Sequence, residues 1–501
     1  MSKKSIFIAF VVSLGGFLFG FDAGIISGVV SYVGPEWNLT DAQIGWGVSS
    51  PSFAAMIAML IAGKLSDHLG RKKILLFVAF AYAISALLSA LATSYEMLYI
   101  ARMIGGLAFG SALVLAPTYI AEIANASNRG KLVSIQQLNI VFGFFAAFLS
   151  NYYLNSINTP NNFFFTDQTV WRWMLGVELL PALVYFILLF FVPRSPRWLF
   201  SNQQNKEAIA VLKQIHGLEQ AQTEATSIQQ SINQQTITSK TSIFELLKPG
   251  LRYILIVGLV LGVLQQITGI NAVYFYATSI FKQTGIGTDA AFSSGVLLSF
   301  TTVIFTFAAI FLIDRMGRRP LLLIGMAGIA TSLLVCAYGF HKAEYKLTSQ
   351  EIAAFQNFQP DLLKPIQNKG YTSDVVFKND VKALLGNQVY AKNEGAILEA
   401  ATEMNAAIVL LGILGFIACF AFSLGPVMWV MLSELYPNAY RGLAIGVIGF
   451  VNSFTSWGVQ QLFPWELSHL GSALTFFILL KILPETKGKS LEQIELEFVK
   501  N

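Results

Sequence analysis

Asp67-His68-Leu69-Gly70-Arg71-Lys72-Lys73 stands between two long apolar stretches, and Asp314-Arg315-Met316-Gly317-Arg318-Arg319 repeats it in the second half of the chain. Downstream of the first copy come Pro117, Glu122 and Arg129-Gly130; downstream of the second come Pro426, Glu434 and Arg441-Gly442. Each Asp precedes its Arg by four residues and each Glu precedes its Arg by seven. The same charges in the same order and spacing mark a duplicated membrane unit. The Asp copies stand 247 residues apart and the Glu copies 312, so the second half carries about 65 additional residues. Internal repeats of this kind place a substrate site between two related bundles.

Composition sets the class. Of 501 residues, 54% are apolar and 12% charged, about half the charge of a soluble protein. The apolar residues fall in blocks near the ~20 residues that a bilayer-crossing helix needs. Twelve spans are expected, at roughly 6–31, 44–63, 74–92, 97–120, 132–153, 173–192, 251–281, 290–313, 320–340, 405–432, 443–463 and 470–483. The expected fold is an all-α membrane protein of two related six-helix bundles. The N-terminal bundle covers 1–192, and a Gln/Ser/Thr-rich linker with short surface helices covers 193–250. The C-terminal bundle covers 251–483, and 484–501 form a tail. The additional residues fall in 341–404, where aromatic and aliphatic residues among Lys, Asn and Asp predict a small folded cap.

The net charge of +5 is a topology signal rather than a nucleic-acid footprint. Lys3, Lys4, Arg71, Lys72, Lys73, Arg129, Lys131, Arg194, Arg197, Arg315, Arg318, Arg319, Arg441, Lys487 and Lys489 share one side of a twelve-span layout. Opposite loops carry Glu36, Asp41 and Glu96, with Arg172 and Lys282 against the trend. Both termini are then expected in the cytoplasm, with the chain in a bacterial inner membrane. The first apolar run is too long for a signal peptide and has no small-x-small cleavage site, so it is expected to remain as a helix. Cys336 and Cys419 lie within spans, and the four histidines lack ligand spacing, so no metal site and no cofactor are expected.

Ionisable residues inside spans are costly and are functional candidates. Asp22 lies ~12 Å below the expected outer boundary of the first span, and Arg102 ~8 Å into the fourth, at 1.5 Å per residue. Their side chains are expected to meet, either as a permanent structural pair or as an acid that exchanges protons with Arg102 as counter-charge. Glu178 in the sixth span is a third buried carboxylate, without a partner evident from the sequence. At the helix ends, Asp67, Arg71, Glu122 and Arg129 mirror Asp314, Arg318, Glu434 and Arg441. Such charges either anchor helix ends or pair across the gap between bundles as a gate.

The seventh span carries Gln265, Gln266 and Asn271. Amides both donate and accept, which suits a neutral polyol, and they are expected to face an aqueous cavity. Gln137, Thr302 and Asn452 add neutral polar groups on spans five, eight and eleven, and Trp429 follows the helix-breaking Gly425-Pro426. An aromatic face suits the C–H side of a sugar ring. Any one of these amides alone is more often helix–helix glue.

With these stretches in view, the chain resembles the sugar porter family of the major facilitator superfamily, most of all bacterial sugar–proton symporters of the xylose–proton symporter type. The strings are GFLFGFDAGIISG, RMIGGLAFG, APTYIAEIA, RGKLVS, RSPRWL, QQITGINAVYFY, DRMGRR, GPVMWVMLSELYPNAYRG and PETKG. The resemblance implies the major facilitator fold and sugar transport coupled to protons, with no enzymatic activity and no obligate protein partner. It assigns the proton-linked acid to Asp22, its partner to Arg102, the sugar amides to Gln137, Gln265, Gln266 and Asn271, and ring stacking to Trp429. Where the family often has Tyr, Asn and Trp, this chain has Phe275, Thr302 and Ser453, and Phe144 stands where Gln is found in the xylose type, so the pocket is reshaped. A facilitative uniporter is the nearest alternative, argued against by Asp22. A membrane sugar sensor is a further one, argued against by the short tail.

Overall fold

The computed structural model describes residues 3–124, 129–159, 164–237, 246–436 and 438–472. The twelfth span expected at 470–483 and the tail lie almost entirely outside the described residues. The chain opens with α1 (Lys3–Glu36), α2 (Asp41–Leu69), α3 (Arg71–Ala90), α4 (Tyr95–Ile123) and α5 (Arg129–Ser156). The sixth span is two helices, α6 (Val170–Val177) and α7 (Leu179–Phe190), divided at Glu178. The linker holds α8 (Pro196–Ser201), α9 (Asn205–His216) and α10 (Leu218–Ile237). The seventh span is broken twice, into α11 (Pro249–Ile267), α12 (Ile270–Phe275) and α13 (Ala277–Lys282). Next come α14 (Thr288–Met316) and α15 (Arg318–His341).

The inserted segment folds as a cap. Strand β1 (Glu344–Tyr345) pairs antiparallel with β2 (Thr402–Glu403), and α16 (Ser349–Ala354), a 3-10 turn, α17 (Asp374–Leu385) and α18 (Asn387–Ala401) lie between them. Leu363, Phe377, Val381, Ile397 and Leu398 give it a buried core of its own. The chain continues as α19 (Ala406–Phe422), α20 (Leu424–Leu435) and α21 (Asn438–His469). Among the described residues, ten helical stretches are long and apolar enough to cross a membrane. The 32-residue α21 packs against α2 and α11 as the eleventh long element.

The repeated turn has the same geometry in both halves. Gly70 (φ +92°) separates α2 from α3, and Gly317 (φ +82°) separates α14 from α15. That backbone region is open chiefly to glycine. Arg71 and Arg318 each donate to the carbonyl five residues back, Ser66 O at 3.1 Å and Ile313 O at 3.3 Å. These turns lie at one end of the bundle, the basic end; the cap lies at the other.

Helix spacing is set by small residues. A Cβ on Gly20 of α1 would stand 2.0 Å from Ile140 O of α5, and one on Gly143 of α5 would stand 2.0 Å from Phe17 O of α1. The two backbones therefore touch, an approach that small residues permit in membrane helices. At the cap end Thr40 caps α2 reciprocally with Gln43, satisfying donors that the helix leaves unpaired.

Candidate functional site

Asp22 lies midway along α1 and Arg102 two turns into α4. Arg102 Nη1 donates to Asp22 Oδ1 at 3.0 Å and Nη2 to Oδ2 at 3.3 Å, a two-pronged charge-assisted pair. The remaining guanidinium edge donates to Gly47 O of α2 at 3.2 Å. Arg102 is 2% exposed and Asp22 7%, so the pair is shielded from solvent. Glu178, at the break between α6 and α7, is buried and near enough to both for their charges to act on it. Tyr82 of α3 lies close to both acids and donates its hydroxyl to Gly15 O at 2.9 Å.

The second polar group is built on the broken seventh span. Gly269 (φ +81°) ends α11 and redirects the chain into α12, which carries Asn271 back towards Gln266. Asn271 Nδ2 donates to Gln266 Oε1 at 2.8 Å and to Ser456 Oγ of α21 at 2.7 Å. Gln266 Nε2 donates to Asn452 Oδ1 at 3.1 Å, and Asn452 Nδ2 to Gln265 Oε1 at 2.9 Å. Gln265 also donates to the carbonyls of Leu424 and Gly425 at 3.4 Å, beside the break between α19 and α20. Helix geometry turns Gln265 away from Gln266, yet Asn452 reaches both.

The amides were expected to face an aqueous cavity; in this conformation they bond one another, with Gln265, Gln266 and Asn452 buried and Asn271 half-buried. Trp429 is more open, 41% exposed, one turn beyond Gly425. Gln137 on α5 is half-buried, away from the amide cluster's hydrogen bonds. Thr302 bonds Tyr274 (Tyr274 OH to Thr302 Oγ1, 2.7 Å), and Phe144 of α5 stacks on Tyr274 with ring centres 4.6 Å apart. Ser453 donates to Met59 Sδ at 3.4 Å, and Phe275 is buried.

Among the described helix-end charges, those of the first half pair with one another. Arg71 bonds Asp67 at 2.8 Å and Glu122 at 3.0 Å, both in its own half. Glu122 also accepts from Ser195, and Trp198 donates to Asp67 O, tying the start of the linker to this cluster. The side chains of Arg129, Asp314, Glu434 and Arg441 lie outside the described part. Among the described residues, hydrogen bonds between halves lie in the middle and at the cap end, including Ser27–Thr278 at 3.0 Å, Ser49–Gln461 at 2.9 Å, Ser52–Gln460 at 3.0 Å and Asn155–Asp289 at 2.7 Å. Among the described side chains of the basic end, Asp67, Arg71 and Glu122 are partnered within their own half.

The family model for sugar (and other) transporters matches residues 8–355 and 383–498. The chain belongs to the sugar transporter family. It is 32% identical over 506 residues to the arabinose–proton symporter of Bacillus subtilis, across 99% of this chain and 95% of that one. Its identity to the major myo-inositol transporter of the same species is 31%, across 98% and 93%. A solved structure of a proton:xylose symporter bound to 6-bromo-6-deoxy-D-glucose matches with a TM-score of 0.71 and 29% identity, across 99% of this chain and all of that one. As a sugar porter of the major facilitator superfamily, the chain is an integral membrane transporter and not an enzyme.

Sequence reasoning missed Ser456 and Gln460, which join the amides to α2, and Gln461, which bonds α2 beside them. Their signal was present: Asn452, Ser456 and Gln460 recur every four residues, which lines one face of a helix.

Proposed function

We propose that this sugar porter imports a neutral monosaccharide or polyol together with protons, by alternating access between its two halves. The cap end faces outside and the basic end the cytoplasm, following the Lys/Arg bias. The observation that carries the reading is the buried Asp22–Arg102 pair with Glu178 beside it. An acid held charged by a single cation changes protonation when that cation moves away. Arg102 sits on α4 and also grips α2 through Gly47, so helix movement and proton binding act on the same guanidinium. Gln265, Gln266, Asn271 and Asn452 offer hydroxyl-matching amides with no cation among their hydrogen-bond partners, and Gln137 and Trp429 complete the pocket as the halves rearrange. The relatives' names, arabinose, inositol and xylose transporters, agree with a neutral polyhydroxyl substrate. The charges from Asp67 to Arg129 and their counterparts from Asp314 to Arg441 close the cytoplasmic side when the outer side opens.

The test uses purified protein in sealed vesicles with a pH-sensitive dye and a panel of pentoses, hexoses and inositols. Adding the transported sugar outside should acidify the lumen as protons enter with it. Sugar entry with no proton movement would reassign the chain to facilitated uniport, and no entry of any panel member would remove the sugar reading.

A further inference from the structure

Gln460 of α21 is wholly buried and belongs neither to the charged pair nor to the amides assigned to the substrate. Its amide is held by two partners from opposite directions. Ser52 Oγ, on α2 of the N-terminal half, donates to Gln460 Oε1 at 3.0 Å. Gln460 Nε2 donates to Ser456 Oγ at 2.7 Å. Ser456 Oγ also accepts from Asn271 Nδ2 at 2.7 Å, and Asn271 in turn bonds Gln266. An unbroken line of hydrogen bonds thus runs from the substrate amides to the seal between halves. The backbone is held as well: Tyr276, at the join of α12 and α13, donates its hydroxyl to Gln460 O at 3.0 Å and stacks on Phe463 at 5.3 Å.

We propose that Gln460 is a positioning residue that couples occupancy of the Asn271 site to closure of the outer seal. This rests on the transport reading above. Separation of α2 from α21 takes Ser52 away from Gln460 Oε1 and exchanges that bond for one to water, forfeiting its net contribution, which disfavours opening. A substrate hydroxyl that bonds Asn271 Nδ2 competes with Ser456 Oγ for the same donor. Ser456 is then free to reorient, and the Gln460 amide it fixes loses its orientation towards Ser52. Binding at Asn271 and the grip on α2 therefore draw on one set of donors, so each changes the strength of the other, as linkage requires. Gln461 reinforces the same contact, accepting from Ser49 and donating to Ala42 O at 3.0 Å, but it makes no bond to the amide cluster.

The test measures opening directly. In a Cys336→Ser, Cys419→Ser background, Leu467→Cys places a thiol at a buried site seven residues beyond Gln460 on α21. Maleimide labelling of that thiol in nanodiscs, without sugar, reads exposure of the outer seal. Gln460→Met keeps the length and removes both amide bonds; Ser52→Ala removes one bond and leaves Gln460 in place. Labelling should quicken about five- to tenfold in Gln460→Met and less in Ser52→Ala, the scale of one or two buried hydrogen bonds. Transported sugar should change the labelling rate of the parent protein and not that of Gln460→Met. Unchanged labelling in both folded variants overturns the proposal, as does a sugar response that survives Gln460→Met. The sugar-free arm stands without any substrate, so a parent protein that ignores every sugar would defeat the transport reading while the seal result remained readable.

Discussion

Replacing Asp22 by Asn tests the proton-linked reading at its centre. Asn keeps the shape of the side chain and one acceptor oxygen but cannot carry charge. In the structure Arg102 makes two charge-assisted bonds to Asp22, at 3.0 and 3.3 Å, and one to Gly47 O. Removing one partner of a buried ion pair costs ~3–5 kcal/mol. Here the cost should fall at or below the lower end, because Asn retains one acceptor and Arg102 keeps its bond to Gly47 O. The protein should fold with a reduced melting temperature. The functional effect is set by the driving force instead. One pH unit across the membrane supplies about 1.4 kcal/mol per proton. With one proton per sugar, the native chain can therefore accumulate sugar about tenfold. Asp22→Asn should equilibrate sugar without accumulating it, while counterflow between equal concentrations continues. The assay is uptake with an imposed pH gradient beside counterflow in the same vesicles. Accumulation by Asp22→Asn at the native level would refute the reasoning and move the proton-carrying role to Glu178.

Three further outcomes follow from the geometry. Asn271→Ala and Gln266→Ala each remove a partner for a substrate hydroxyl and should weaken sugar binding roughly tenfold to a hundredfold, measured by isothermal titration; native affinity in both would place the pocket elsewhere. Gly143→Ala puts a methyl group against Phe17 O and should destabilise the α1–α5 contact by ~1–3 kcal/mol, read as a lowered melting temperature in detergent; unaltered stability would mean that the backbones do not touch. Phe275→Tyr, Thr302→Asn and Ser453→Trp combined should shift preference towards ordinary aldoses, and non-additively because neighbouring residues couple; an unchanged sugar ranking in competition uptake would free these positions from any part in selectivity.

Much of the architecture was legible because its signals are local. Gly70 and Gly317 can be read from four neighbouring residues, and the structure gives both the same positive φ and the same arginine-to-carbonyl bond. The helix breaks were less visible. Gly425-Pro426 announced a break that falls slightly earlier, at Ser423, and Glu178 divides the sixth span between Gly176 and Pro181, a proline with no N–H for the carbonyl of Val177 four residues back. The cap was legible as a folded segment from its apolar content, since disordered segments lack the aromatic and aliphatic side chains needed for a core. Its β1–β2 pairing was not, because two-residue strands carry no period.

At the site, distance from the membrane boundary puts Asp22 and Arg102 at similar depths on sequence alone. A charge in lipid needs a partner, and few were on offer. Neutral side chains leave no such constraint. Ser52, Ser456 and Gln460 could each have been helix glue, and only three-dimensional placement shows that they share hydrogen bonds with Asn271. The helix-end charges pose a different problem. One sequence encodes at least two arrangements of a transporter, and pairing read from sequence does not say in which arrangement it occurs. Here the seal is made by Ser27, Ser49, Ser52 and their partners, and Arg71 bonds within its own half. A carrier must break one set of cross-half bonds before it makes the other. Short neutral hydroxyl–amide contacts suit the end seen closed, because each is worth only ~0.5–1.5 kcal/mol and a few can be broken together by ligand-scale energies.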